Sequence, residues 1–265
     1  MSEIGYVLIG FSVIFLCTTL GSSFVFLFKK DEISPKINQI FLGFASGIML
    51  SASFFSLIKP ALEFEVSYMP TIAIVGISVI LGALFLWGID KTLPHFHHAD
   101  NKDEGIKNNS LSKTTKMFLA VTIHNVPEGL SVGIAFGVAL ASSENRLGLL
   151  LAALILAIGI GIQNIPEGAV VSLPVRAEIN NPLKAFLFGT FSGAVEPVAA
   201  VVGLFLALKI QVIMPWALAF AAGCMIYVVI EEMVPEMKND STHHYGVWSF
   251  IVGFVLMMVL DVVLG

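Results

Sequence analysis

Two six-residue stretches carry most of the chemistry this sequence can do: "HNVPEG" at residues 124 to 129, and "QNIPEG", which begins thirty-nine positions later at Gln163. Both lie inside runs apolar enough to cross a bilayer. An ionisable side chain at the centre of a membrane helix costs roughly 2.5–3.5 kcal/mol on insertion scales, so its presence there points to function. In each motif the outer pair, His124 with Glu128 and Gln163 with Glu167, is spaced i, i+4 and shares one helix face. Asn125 and Asn164 occupy equivalent second positions. Pro127 and Pro166 have no N–H, so the carbonyls of Ile123 and Ile162 lose their helical partners, and both helices are expected to be proline-broken. Broken turns at membrane depth are tolerated where they face protein or a wet cavity. Gly129 and Gly168 permit close approach of a neighbouring helix.

One imidazole, several carboxylates and three amides form a donor set for a divalent cation. Imidazole with carboxylate suits zinc, cadmium, iron or manganese, whereas all-oxygen cages suit calcium or magnesium. The carboxylates offset a charge that is prohibitive to bury alone. Glu196, next to Pro197, is a further candidate ligand. Two antiparallel motifs sharing glutamates leave room for two ions, although spacing alone does not fix their number.

The elements that must position these residues are transmembrane helices. The chain has 265 residues, 57% hydrophobic and 12% charged, with mean hydropathy +0.90, which is the composition of an integral membrane protein. Apolar stretches long enough to span recur at about 4–28, 37–61, 70–90, 117–141, 147–174, 183–208, 213–236 and 246–264. This predicts an all-α protein of eight transmembrane helices forming a single domain over residues 1–265. A polar, His-containing loop at 91–116 is expected to be flexible. The first apolar run lacks a basic leader segment and reads as a retained helix.

Loop charge sets the orientation. Lys29, Lys30, Lys36, Lys91, Lys102, Lys107, Lys113, Lys116, Arg176, Lys184 and Lys238 fall on one face, against Lys59, Arg146 and Lys209 on the other. The positive-inside rule then puts both termini outside. At about 1.5 Å per residue from the basic ends, His124 lies at about 12 Å, Glu128 at about 18 Å, Glu167 at about 14 Å, Gln163 at about 20 Å and Glu196 at about 18 Å, one level near the midplane.

Other residues are less decisive. Glu231, Glu232 and Glu236 lie near the cytoplasmic end of the seventh helix and suit a solvated vestibule or a transport relay equally. Met49, in "GFASGIMLSAS", reads as packing. His95, His97 and His98 suit weak metal binding or a solvated loop. Cys17 and Cys224 read as small buried hydrophobes. A net charge of −5 with no basic run gives no sign of nucleic-acid binding.

"HNVPEGL" on the fourth span and "QNIPEG" on the fifth, with a His-containing loop between spans three and four, resemble the ZIP family of divalent metal transporters, most closely its GufA-like bacterial branch. The resemblance implies a binuclear centre: His124, Glu128, Gln163 and Glu167 for one ion, and Asn125, Glu128, Asn164, Glu167 and Glu196 for the other. It makes Met49 a further ligand of the first ion. It sets Glu63 and Asp261 at the outer mouth, and Asp90, Glu231 and Glu232 along the inner exit. It also implies a homodimer in the lipid bilayer of a bacterial cytoplasmic membrane, moving Zn2+, with Cd2+, Fe2+ or Mn2+ as further cargo, toward the cytoplasm. Spans one, four, five and six are expected to slide or rock against the other four. Gln163 departs from the histidine of many relatives, and Asn164 from the aspartate of some; neutral amides imply weaker binding and broader metal choice.

Two other functions compete. A passive divalent cation channel needs weak multi-site binding, which amide ligands permit. An intramembrane metalloprotease needs two histidines around a general base, yet Asn125 stands where the base belongs.

Overall fold

The computed structural model describes residues 2–27, 34–92, 95–97, 102–104, 113–209, 213–237 and 244–264. Among them are eight helical stretches long and apolar enough to cross a membrane. Numbered in chain order as spans one to eight, they are Glu3–Phe26, Gln39–Leu62, Thr71–Ile89, Val121–Ala141, Arg146–Arg176, Pro182–Lys209, Met214–Met233 and Tyr245–Val263. The expected spans are met within a few residues. A bilayer offers no water to unpaired backbone groups, so segments this apolar must satisfy their own N–H and C=O groups as helices.

The starts of several helices are written locally. Ser2 Oγ accepts from the Gly5 amide, Ser34 Oγ from that of Ile37, and Asn181 Oδ1 from that of Lys184. Pro35 and Pro182 stand in the first turns they introduce, where a missing N–H costs nothing. Aromatic residues mark both ends of the bundle, as amphipathic rings do at membrane interfaces. Lys36 and Lys91 sit over the rings of Tyr245 and Trp87 at one end. At the other, Trp216 Nε1 donates to the Tyr68 hydroxyl at 2.9 Å.

One expectation about irregularity is corrected. The fourth-span helix, Lys113–Ala141, and the fifth-span helix, Arg146–Ile179, run on through Pro127 and Pro166. Each proline removes one hydrogen bond and leaves the helix intact, because close packing on both sides holds the remaining turns. The break falls instead in span six, at Ala194 between the helices Pro182–Gly193 and Val195–Lys209. There Pro197 cannot donate back to Gly193, and a Ser-Gly-Ala sequence yields easily. Within 91–116, the described residues His95–His97 pair antiparallel with Lys102–Glu104, His95 opposite Glu104.

Two π turns, Ser53–Ile58 in span two and Val229–Met233 in span seven, widen the helices locally. Such turns concentrate at functional sites.

The spans pack as two groups of four. Spans one and five pair along their length, as do four and six, and five and six meet within the same group; two pairs with eight and three with seven. Glycine makes the closest of these approaches possible. A Cβ on Gly129 would collide with the Glu196 carbonyl oxygen, and one on Gly168 with that of Thr18. Contacts of span five with two, and of four with seven, join the groups. Inserting one methyl at such a crossing costs about 1–3 kcal/mol. Gly168→Ala is therefore expected to lower the Tm in detergent by about 5 °C. Gly76→Ala on span three, where an added Cβ meets nothing within 4 Å, should leave Tm unchanged. Equal Tm for the two variants contradicts the close-packed pairing.

Candidate metal centre

Spans four, five and six bring the two motifs and Glu196 together. Antiparallel packing of spans four and five sets the start of one motif against the end of the other, as their spacing predicts: Gln163 Nε2 donates to Glu128 Oε1 at 2.8 Å. Asn164 Nδ2 donates to Glu196 Oε2 at 2.6 Å and, with its second hydrogen, to the Ile14 carbonyl at 3.2 Å. Asn125 Nδ2 donates to the Ser192 carbonyl at 3.1 Å. That carbonyl belongs to the last turn of Pro182–Gly193, where helix carbonyls lack intrahelical partners. The break in span six thus supplies an acceptor to span four and starts a new helix one residue before Glu196.

Asn125, Glu128, Gln163, Asn164 and Glu196 are all fully buried, with 0% exposure. Each amide donates and Glu196 accepts at both oxygens, yet Asn125 Oδ1, Glu128 Oε2, Gln163 Oε1 and Asn164 Oδ1 are buried without a hydrogen-bond partner. Four unpartnered oxygens within one cluster run against the rule that buried polar atoms are paired. Their chemistry, acceptor-only and partly anionic, fits a cation. Glu167 is partly buried and lies within Coulombic range of His124, Glu128 and Glu196.

His124 is in contact, through Nε2, with Glu232 Oε1 of the π turn in span seven. The imidazole expected in the cage therefore also bridges from the first group of spans to the second, and Glu232, expected on an exit path, meets the motif directly. Among the described residues no three His, Cys, Asp or Glu side chains form a metal-holding group by themselves; any cage here depends on its amides. Met49 is buried in the main apolar cluster. Glu231 is exposed in the same π turn as Glu232. Asp90 falls in the last turn of the helix Thr71–Thr92, and His95 and His97 fall in the loop's short ribbon. His98 lies outside the described residues.

Glu63 and Asp261 meet far from the motifs in sequence but in one cavity of about 300 Å³, lined also by Ser56, Lys59, Asn145, Ala135 and Leu156. A second cavity of about 460 Å³ shares Pro60, Glu63, Val138 and Leu149 with it and adds Glu144. Together they open at the Arg146 end of the bundle, between spans four and five on one side and two, seven and eight on the other. Ser56 Oγ donates to Asp261 Oδ1 at 2.6 Å, and Asp261 Oδ2 is buried without a partner.

Sequence reasoning missed Thr18. Its hydroxyl reaches Glu196 Oε1 at 3.0 Å from span one, close to its own helix carbonyl of Ile14 at 3.2 Å. The signal was a small polar stripe, Thr18 with Ser22 four residues on, inside an otherwise apolar helix. Ser56 and Lys59 were missed as well, because only the π turn brings them to the cavity.

A family described as ZIP Zinc transporter matches this chain at residues 4–117 and 114–261. The zinc transporter GufA of Myxococcus xanthus is 36% identical over 252 residues, covering 94% of this chain and 95% of its own. Zinc transporter ZIPB of Bordetella bronchiseptica is 33% identical, over 99% of this chain and 82% of its own. Zinc transporter ZIP11 of Homo sapiens is 32% identical, over 94% of each.

A hydrogen bond that orients a ligand typically changes metal affinity by about 10-fold or more when removed. Thr18→Val is therefore expected to weaken zinc binding about tenfold in a titration of the purified protein, with Thr18→Ser restoring most of it. Wild-type affinity in Thr18→Val contradicts an orienting role.

Proposed function

Because this chain belongs to the ZIP family of zinc transporters, we propose that it carries zinc toward the cytoplasm through a two-ion site at mid-membrane, by alternating access. Transport of this kind makes no covalent change in its cargo, so the protease alternative falls away with family membership. The observation that carries the reading is the set of four buried, unpartnered oxygens on Asn125, Glu128, Gln163 and Asn164 beside a doubly hydrogen-bonded Glu196.

The ion's path follows from where the acids stand. It reaches Glu63 and Asp261 in the cavity at the Arg146 end, which the positive-inside rule makes the outer face. It then exchanges water for the buried oxygens of the cage. Gln163 Oε1 and Glu128 Oε2, with His124 and Glu167, suit one ion; Asn125 Oδ1 and Asn164 Oδ1, with Glu196 and the shared Glu128 and Glu167, suit a second. Met49 joins the first ion's ligands if span two slides toward span five. Release leads past Glu232 and Glu231 in the π turn and past Asp90. His124, in contact with Glu232, is well placed to pass the ion from cage to exit.

Alternating access needs rigid bodies that move against each other. Glycine crossings within spans one, four, five and six support their moving as a unit. A passive channel is the other reading, which weak amide ligation favours; saturation separates them. Cadmium, iron and manganese are further cargo for such donors. A homodimer in a bacterial cytoplasmic membrane completes the reading. His95, His97 and His98 form a secondary, weak metal-holding loop.

The test is zinc uptake into liposomes containing the purified protein, with cadmium and manganese as competitors. Uptake is expected to saturate in wild type and to fall at least about 10- to 100-fold in Glu128→Ala, His124→Ala and Glu167→Ala, since losing a ligand costs no less than losing the partner that orients it. Wild-type rates in Glu128→Ala, or single-channel currents in place of saturation, contradict the carrier.

A further inference from the structure

The outer cavity holds a cation of its own. Lys59 lines the 300 Å³ space together with Glu63 and Asp261, although a positive charge there opposes any arriving metal ion. Its place is set by the backbone. The π turn Ser53–Ile58 ends at Lys59, whose amide bonds the Phe54 carbonyl five residues back. This turn also carries Ser56, which donates to Asp261 Oδ1. Lys59 and Glu63, four residues apart, then share a helix face.

The ammonium is within Coulombic range of Asp261 without being bound to it. The ion pairs formed within 4.0 Å among the described residues are His124 with Glu232 and Arg146 with Glu3. Lys59 is exposed, so its stem is free to move the charge toward or away from the carboxylate. Asp261 retains one oxygen with no partner. The cavity thus contains an unsaturated carboxylate and a mobile cation that can satisfy it.

We propose that Lys59 is a tethered competitor of the metal ion at the mouth: its ammonium neutralises Asp261 when no ion is there, and an arriving divalent cation must displace it. The residue thereby sets the apparent affinity of uptake, leaving the chemistry of the midplane cage alone. An ammonium of single charge yields to a divalent ion and holds off ions of single charge, so the same residue favours divalent cargo. This inference rests on the transport reading, since it concerns the concentration at which ions reach that cage.

The experiment measures zinc uptake into liposomes by wild type, Lys59→Gln, Lys59→Arg, Asp261→Asn and the Lys59→Gln/Asp261→Asn double variant. At about 0.01 M ionic strength, where screening extends over about 30 Å, Lys59→Gln should lower the KM for zinc by about three- to tenfold. The effect is expected in KM and not in the maximal rate. At about 1 M salt, where the screening length is about 3 Å, the difference should shrink below about twofold. Lys59→Arg keeps the charge and should keep the wild-type KM. In the Asp261→Asn background, Lys59→Gln should change KM by less than about twofold.

An unchanged KM in Lys59→Gln at low salt overturns the proposal and identifies Lys59 as an ordinary interfacial lysine. An equal fall in KM with or without Asp261 overturns it also, since the charge would then act on the ion through space and not by competition. A wild type that moves no zinc overturns the transport reading itself, and this inference with it.

Discussion

The rest of the structure depends on burying the carboxylates of Glu128 and Glu196 where no water reaches them. An ionised carboxylate moved into such a medium without partners is prohibitively costly. The chain meets that cost locally, with Gln163 donating to Glu128 and with Thr18 and Asn164 donating to Glu196. These partners come from spans one and five, the carboxylates from four and six. The four helices that form one packed group are therefore also the four that hold the acids. The amide nitrogens of Gln163 and Asn164 face carboxylates and that of Asn125 faces the Ser192 carbonyl, so the three amide oxygens are left over beside the buried acids. Stabilising the acids and gathering unpartnered oxygens are one arrangement.

Close helix packing makes those hydrogen bonds reachable. Gly129 lets span four lie against the backbone of Glu196, and Gly168 lets span five lie against Thr18, so each glycine that ends a motif also brings a Glu196 or Thr18 partner within reach. Between the two groups the joints differ. The π turn of span seven presents Glu232 across the seam to His124, whereas that of span two presents Ser56 to Asp261 of span eight, within its own group, at the cavity of the Arg146 end. A wider turn costs regular hydrogen bonding and gains a redirected side chain.

Much of this was legible in the sequence for physical reasons. Hydropathy located the eight spans because a membrane helix must be apolar over its length. The two motifs drew attention to the buried polar cluster because paired i, i+4 polar groups are costly at membrane depth. Counting residues from the basic ends set Glu128, Gln163 and Glu196 at one level, and they meet there. What was not legible depends on tertiary contact. Thr18 is one of several hydroxyls that bond back to their own helix, and its reach to Glu196 exists only once spans one and six are packed. Proline alone overstated the breaks at Pro127 and Pro166, because a packed helix survives one lost bond; at Ala194 small residues and Pro197 acted together. The π turns have no sequence signature here, so Lys59 could not be seen to line the same cavity as Asp261.

The central claim is that the buried amide and carboxylate oxygens of spans four, five and six hold the transported ions. Anomalous diffraction from crystals grown with zinc or cadmium tests this most directly. The account predicts two peaks between span four and span five, one beside Gln163 and Glu128 and one beside Asn164 and Glu196. Strong peaks confined to the cavity at the Arg146 end or the histidine loop, with none at the motifs, would contradict it.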